Sequence, residues 1–500
     1  MAAVTEKESI NVLGARAFAK ELAPSYIDHV CLAGGFAPPP GSLLGEGLGA
    51  GFAWCELHCG SAVTATLLAS CNPLGDFHAI DARPELLDKG RALAKDGAVR
   101  NITFHEAGIE AALGKTLPAF DYIVLNGIYS WVPLQERGLV LAFLRKFLKP
   151  GGAVYASYNA RPGWNRLDPF RRIFREATRG LKADPKQRLD VAREIYAKLL
   201  EARAPAIAAT GVTPASLAEI DRIPIEVIAA DYANDFAEPL YVTELFSDFA
   251  AIDCVFAGPS DMAESATTLS GHEPFKSILA RLPQPAGREL AKDMLRDTRF
   301  RRDVFVRGGS RMTADNRDMV MNGLAFALEL PSASVRYSMK LPFGEINFDN
   351  PHARALVAVL ESGPRALGEL VADAHARKVE AQAVVTNVHA LLVTGQIRPV
   401  YRASREAAEG AHALQAAIRV RAGTADGIGF LPSPFGTAFV VPVPDQLFIG
   451  MNKDLSADEM AEAAVEALGT KAPAMREIIL TRARAFGRNA KYYATFGLTA

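Results

Sequence analysis

Between residues 53 and 160 short apolar runs alternate with amphipathic stretches, and this alternation limits the possible folds more than any other feature of the chain. Such a pattern builds a parallel sheet covered by helices. Five strands are predicted at 53–57, 77–81, 102–106, 120–126 and 153–158, with helices at 63–70, from Pro84 onward, and at 134–148. Proline suits the first turn of a helix, which places the start of the second one. The run 120–126 is nearly all apolar, as a central strand buried on both faces must be. Lys149-Pro150-Gly151-Gly152 ends the helix before it.

A chain of 500 residues exceeds what one hydrophobic core sustains, so two to four domains are expected. Lys+Arg 55 against Asp+Glu 56 leaves a net charge of -1, which gives no general attraction to nucleic acid or to an anionic membrane. Residues 1–23 lack a basic segment followed by an apolar core, and no run approaches the ~18 apolar residues of a membrane span. Cys31, Cys55, Cys59, Cys71 and Cys254 are too few for a disulfide framework. A cytoplasmic protein without membrane insertion is the expectation; oligomeric state is not legible.

In doubly wound sheets ligands bind beyond the carboxyl ends of the strands, where the first turn lets backbone approach the ligand. That turn is Glu56-Leu57-His58-Cys59-Gly60-Ser61-Ala62. Taken alone its single glycine also suits an ordinary structural turn. Asp81 ends the second strand where an acidic side chain accepts hydrogen bonds from ribose hydroxyls, although it also stands where it would cap the following helix. Two acidic strand ends in register favour a nucleoside ligand. The glycine-rich phosphate turn of dinucleotide dehydrogenases is absent, and a cofactor without phosphates loses least by that.

The more specific features lie further on. Asn126-Gly127-Ile128-Tyr129-Ser130-Trp131-Val132-Pro133 follows the fourth strand, then Pro150-Gly151-Gly152, then Ser157-Tyr158-Asn159-Ala160-Arg161-Pro162-Gly163-Trp164. Ala230-Asp231-Tyr232, Glu238-Pro239-Leu240-Tyr241 and Arg299-Phe300-Arg301-Arg302-Asp303-Val304-Phe305-Val306-Arg307 come later, in the same order as in a known family. The chain resembles class I S-adenosylmethionine-dependent methyltransferases that carry a methyltransferase regulatory domain, among them bacterial outer-membrane-protein lysine methyltransferases. The resemblance covers residues 26 to 307, and more loosely the rest, including Gly395-Gln396-Ile397-Arg398-Pro399. The turn at Glu56 resembles the family's first motif, acidic residue then Gly-x-Gly-x-Gly, with His58 and Ala62 in place of the outer glycines.

The resemblance implies a Rossmann-like doubly wound methyltransferase core at 26–165 and a helical connector at 166–211. A mostly helical regulatory domain follows at 212–307, then a mixed α+β C-terminal domain at 308–500 able to hold a protein substrate. It implies S-adenosylmethionine as cofactor, held by Glu56, His58, Gly60, Asp81, Glu106 and Asn126, no metal, and N-methylation of protein lysines. Methyl transfer from a sulfonium needs a neutral nucleophile and close alignment, so positioning carries most of the catalysis. A lysine has a reference pKa of ~10.4, and an apolar aromatic channel helps it shed its proton. Asn126, Tyr129 and Tyr158 are the expected catalytic residues: an amide oxygen for the amine and two aromatic rings at the carboxyl edge. Trp131 fits a core position as well as a channel wall.

His58 and Ala62 also admit a rival, a non-catalytic methyltransferase-fold scaffold, and a small-molecule acceptor is a third reading. Cys55, His58 and Cys59 do not make a zinc site, because Cys55 lies on a strand and no second ligand pair follows. No Gly-x-Ser-x-Gly elbow or phosphate-binding loop supports hydrolase chemistry. The basic run 476–491 is expected to form a terminal amphipathic helix docked on the body.

Overall fold

The computed structural model describes residues 18–44, 51–213, 220, 228, 231–232, 234–265, 273–341, 344–424, 427–451, 454–470 and 473–499. Residues 1–17, read above for a leader, and Ala230 of the regulatory motif lie outside them.

One seven-stranded sheet organises the protein. Its strands are β1 (Phe52–Leu57), β2 (Gly75–Asp81), β3 (Ile102–Glu106), β4 (Phe120–Asn126), β5 (Leu148–Asn159), β6 (Cys254–Pro259) and β7 (Phe300–Arg307). They lie in the order β3-β2-β1-β4-β5-β7-β6, with β1 to β5 parallel and β7 antiparallel to both neighbours. The chain leaves β1 toward β3 and returns to β4, so the strand order reverses between β1 and β4 and opens a crevice at their carboxyl ends. This is the doubly wound architecture that the sequence predicts.

Alternation sends side chains to two cores. Trp54, Phe77, Tyr122, Val124 and Tyr155 face one, together with the buried helix Pro24–Ala33. Cys55, Leu57, Ile80, Ile123, Leu125, Val154, Ala156 and Phe305 face the other, under Leu134–Phe147. The fifth strand starts earlier than its apolar run does. The helix stops at Phe147 as expected, but Lys149 to Gly152 then continue as strand, with a register shift between Phe120 and Tyr122. Lys149 fastens this stretch to the buried Asp121 at 2.7 Å.

The last two strands of the sheet come from far along the chain, after the helices Asp168–Thr178 and Pro185–Glu201. The regulatory segment is therefore not wholly helical: its β6 and β7 extend the sheet, and Val242–Ala250 and Pro285–Arg296 pack with them. Beyond Arg307 a three-stranded antiparallel sheet, Arg365–Ala366, Ala325–Leu328 and Ile397–Val400, is surrounded by helices. This C-terminal body shares a core with the large sheet, running from Trp54 through Leu414 and Phe439 to Phe496. Helix Arg405–Val420 crosses Val63–Cys71 so closely that a side chain at Gly410 would strike the Ser70 carbonyl. The terminal helix, Pro473–Thr495, buries Ile479, Ala483, Tyr492 and Tyr493 and leaves Arg484 and Arg488 exposed. No helix among the described residues is long and apolar enough to cross a membrane.

One buried carboxylate ties these bodies together. Asp28 accepts hydrogen bonds from Ser42 (2.5 Å), Tyr122 (2.7 Å) and Tyr401 (2.6 Å), joining the first helix, β4 and the C-terminal body. Burial raises its pKa from 3.8 to about 6 against the pull of those three hydroxyls, and Asp121 adds to the rise. A raised folded-state pKa means the folded chain holds the proton longer, so stability falls as pH rises from 3.8 toward 6 and is level above that. At 1.36 kcal/mol per unit the change amounts to roughly 3 kcal/mol. Urea titrations at pH 4 and pH 7 are expected to show wild type losing about that much relative to Asp28→Asn at the higher pH. A pH-independent difference between the two proteins would rule this linkage out.

Candidate active site

The turn after β1 carries three left-handed residues in alternation: His58 (φ 61), Gly60 (φ 57) and Ala62 (φ 51). These are the three glycine positions of the motif that the turn resembles. The backbone keeps the conformation although two glycines are gone, at a steric cost of about 1–2 kcal/mol for each side chain. Gly60 keeps the point of close approach open, for no heavy atom among the described residues lies within 4 Å of where its Cβ would stand.

Asp81 locks this turn. Its carboxylate accepts the Gly60 N–H at 2.8 Å, the Arg83 N–H at 3.0 Å, and two guanidinium N–H groups of Arg83 at 2.8 and 2.9 Å. Burial would raise its pKa, but these donors outweigh burial and hold it below the usual carboxylate value. Arg83 is half exposed and can swing away. Glu56, two residues before His58, is in the opposite state. Burial, reinforced by the charge of Asp81, raises its pKa to about 8, and its Oε2 is sealed without a hydrogen-bond partner. His58 is half-buried, and desolvation lowers its pKa, so the ring is neutral near pH 7.

Asn126 ends β4 on the other side of the crevice. Its Oδ1 accepts the Ser157 hydroxyl at 3.0 Å, and that Oγ in turn accepts the Gly127 N–H at 2.8 Å. Gly127 has φ 82, and the Trp131 ring lies against it where a Cβ would be. Glu106 ends β3 opposite Asp81 in the register and is exposed. The structure thus brings Glu56, His58, Gly60, Asp81 and Asn126 together at the carboxyl edge, with Glu106 one strand further out.

Tyr129 and Tyr158 are placed differently from the channel that their loops suggest. Both are fully buried in the core under the sheet. Tyr129 donates to Asp248 at 2.5 Å and packs edge-on against Phe249; Tyr158 donates to Asp303 at 2.6 Å. Each hydroxyl fastens the regulatory segment to the sheet.

Asp231, in the Ala230-Asp231-Tyr232 motif, has a task that its sequence context does not reveal. In the structure its Oδ1 accepts Trp131 Nε1–H at 2.8 Å and Asn159 Nδ2–H at 2.6 Å. The segment that follows it straps over the loops after β4 and β5: Asn234 donates to the Trp131 carbonyl at 2.8 Å, the Glu238 N–H to Ser130 O at 2.8 Å, and the Leu240 N–H to Asn159 O at 3.0 Å. A conspicuous Asp-Tyr pair just before the Glu-Pro-Leu-Tyr run was the available signal.

Comparison with known families adds to this geometry. Residues 48–191 match the model of a methyltransferase domain, and residues 225–307 match that of a predicted methyltransferase regulatory domain. The chain is an S-adenosylmethionine-dependent methyltransferase. The methyltransferase is 28% identical over 411 residues to an uncharacterized protein of Synechocystis sp., covering 82% of this chain and 81% of that one. A shorter match, 30% over 118 residues, links it to an uncharacterized protein of Rickettsia prowazekii, covering 24% of this chain and 47% of the relative. Among solved structures it shares its fold with PKMT2 from Rickettsia typhi, at TM-score 0.64 and 16% identity, over 95% of this chain and 98% of that one. The same Rickettsia protein in complex with AdoHcy aligns at TM-score 0.64 and 15% identity, over 94% and 97%. The donor set of the methyltransferase suits its cofactor. A cofactor bearing a sulfonium and an ammonium finds here a neutral histidine, an ionised Asp81 and a buried carboxyl at Glu56 whose Oε2 has no hydrogen-bond partner.

Proposed function

We propose that this methyltransferase methylates lysine ε-amines of a protein, with the cofactor lying across the carboxyl edge between β1 and β4. The buried Glu56 carboxyl beside Asp81, whose Oε2 has no hydrogen-bond partner while the Ala65 N–H bonds the group, is the observation that carries the cofactor's placement, since an unanswered oxygen is costly to bury and a cation would offset that cost. Asp81 exchanges its bonds to Arg83 for the ribose hydroxyls and keeps its hold on Gly60. Glu56 faces the cationic amino-acid end, Gly60 allows the close approach, and Glu106 meets the adenine edge.

Bound there, the cofactor supplies an electrophilic methyl group for in-line displacement. Asn126 offers Oδ1 to an amine N–H, and the Ser157 hydroxyl holds that amide in place. Tyr129 and Tyr158 contribute by positioning, through Asp248 and Asp303. The extended C-terminal body gives a polypeptide acceptor a surface, and the family resemblance of the loops around Asn126 and Tyr158 favours lysine.

Two measurements test this reading. Calorimetric titration is expected to show micromolar binding of S-adenosylmethionine and S-adenosylhomocysteine, about 8 kcal/mol. Incubation of the methyltransferase and cofactor with candidate proteins, followed by peptide mass spectrometry, is expected to find methyl groups on lysines. Methyl groups only on other side chains or on small amines would refute the lysine assignment; no binding by the folded protein would refute the site.

A further inference from the structure

Beside Asn126 three side chains meet that have no task in holding the cofactor: Trp131, Asn159 and Asp231. Both donors, the indole N–H and the Asn159 amide, are spent on Oδ1 of Asp231. Its Oδ2 accepts no hydrogen bond among the described residues, and the residue keeps 7% of its surface open. The neighbouring cation, Arg171, acts on this carboxylate through its charge but makes no ion pair with it: it donates to the carbonyls of Asp231 (3.0 Å) and Ala237 and pairs with Asp168 at 3.2 Å.

We propose that Asp231 is a specificity-determining residue on the acceptor side, whose free Oδ2 receives the cationic end of the incoming lysine. The inference rests on the lysine reading above and names the group that recognises the acceptor. The regulatory segment then supplies a recognition group to the edge of the methyltransferase sheet.

Three observations carry it. A clamp for Trp131 and Asn159 needs only an acceptor oxygen, which an asparagine would offer without a charge. A carboxylate buried here is disfavoured, its pKa raised by burial even against the hydrogen bonds of Asn159 and Trp131 and the charge of Arg171, so a visiting cation at Oδ2 would stabilise it further. The ring of Trp131, half-buried and lying against Gly127 beside Asn126, presents an aromatic face along which an ammonium can travel between the two residues.

Asp231→Asn keeps Oδ1 for both donors and removes only the charge. With the protein saturated by S-adenosylhomocysteine, titration with Nα-acetyl-lysine amide is expected to show binding at least about tenfold weaker in the variant. Affinity for S-adenosylhomocysteine and the thermal midpoint should not move. Equal affinity of both proteins for the lysine probe would overturn the proposal. Should the variant not fold, wild type alone decides: Nα-acetyl-norleucine amide, which lacks the ammonium, is expected to bind at least about tenfold more weakly than the lysine probe, and equal binding would overturn the proposal. Because binding is read directly, a failure of methyl transfer to lysines alongside intact probe selectivity would count against the reaction assigned above and not against Asp231.

Discussion

Replacing Asp81 with alanine is expected to weaken S-adenosylmethionine binding by about 100-fold, near 3 kcal/mol, with the chain still folded. Two losses add up. The Gly60 N–H gives up its 2.8 Å bond to Oδ2, so the left-handed turn that His58 and Ala62 already strain loses its tether. The acceptor for the ribose hydroxyls also disappears. Charged acceptors contribute about 1.5–3 kcal/mol each, more than neutral ones. Asp81→Asn should fall between the two, because it retains an acceptor for Gly60 without the charge. Calorimetry on wild type and both variants checks this, and full affinity in Asp81→Ala would place the cofactor elsewhere.

The largest loss of stability is expected at Arg301. Its side chain is fully buried and meets Asp303 at 2.9 Å, Asp293 at 2.7 Å and Glu289 at 2.9 Å, while Tyr158 donates to the same Asp303. Arg301→Ala takes from Asp293 and Asp303 the ion-pair partner they share; Glu289 keeps Lys292 at 2.6 Å. Removing one partner of a buried ion cluster costs about 3–5 kcal/mol, chiefly because of the charges left behind. Combining Arg301→Met with Asp293→Leu and Asp303→Leu removes those charges too, and that triple variant should be less damaged than Arg301→Ala alone. Urea denaturation of both would show it, and a triple variant less stable than the single one would mean that the ion pairs themselves hold the fold. Tyr158→Phe should cost only about 1 kcal/mol, since Arg301 still answers Asp303.

The reach of the sequence differed from strand to strand. Runs at β1, β2 and β4 announce themselves because strands buried on both faces have little choice but apolar residues. By contrast β7 carries Arg301, Arg302 and Asp303, and nothing local says that Glu289 and Asp293 answer the charge of Arg301 against the sheet. The acidic strand ends at Glu56 and Asp81 were visible through their spacing alone. That Glu56 is protonated near pH 7 and Asp81 is ionised was not, since the difference depends on Arg83 reaching back and on burial. For Tyr129 and Tyr158 the loops suggested an open edge. Their hydroxyl partners stand 119 and 145 residues further along, and no pattern in a single sequence joins such pairs.

The position of β7 also shapes how the protein is made. Asn159 pairs with Phe300, so 300 − 159 = 141 residues must emerge from the ribosome before the edge of β5 meets its partner. At elongation rates of about 5–20 residues per second, that edge waits roughly 7–28 s. During this time the nascent chain presents Ala153 to Asn159, an apolar strand with unpaired amides, to any other strand nearby. A fragment ending before β7 would keep that exposure permanently. The strands that carry the cofactor turn therefore depend, for a sealed edge, on a segment made long after them.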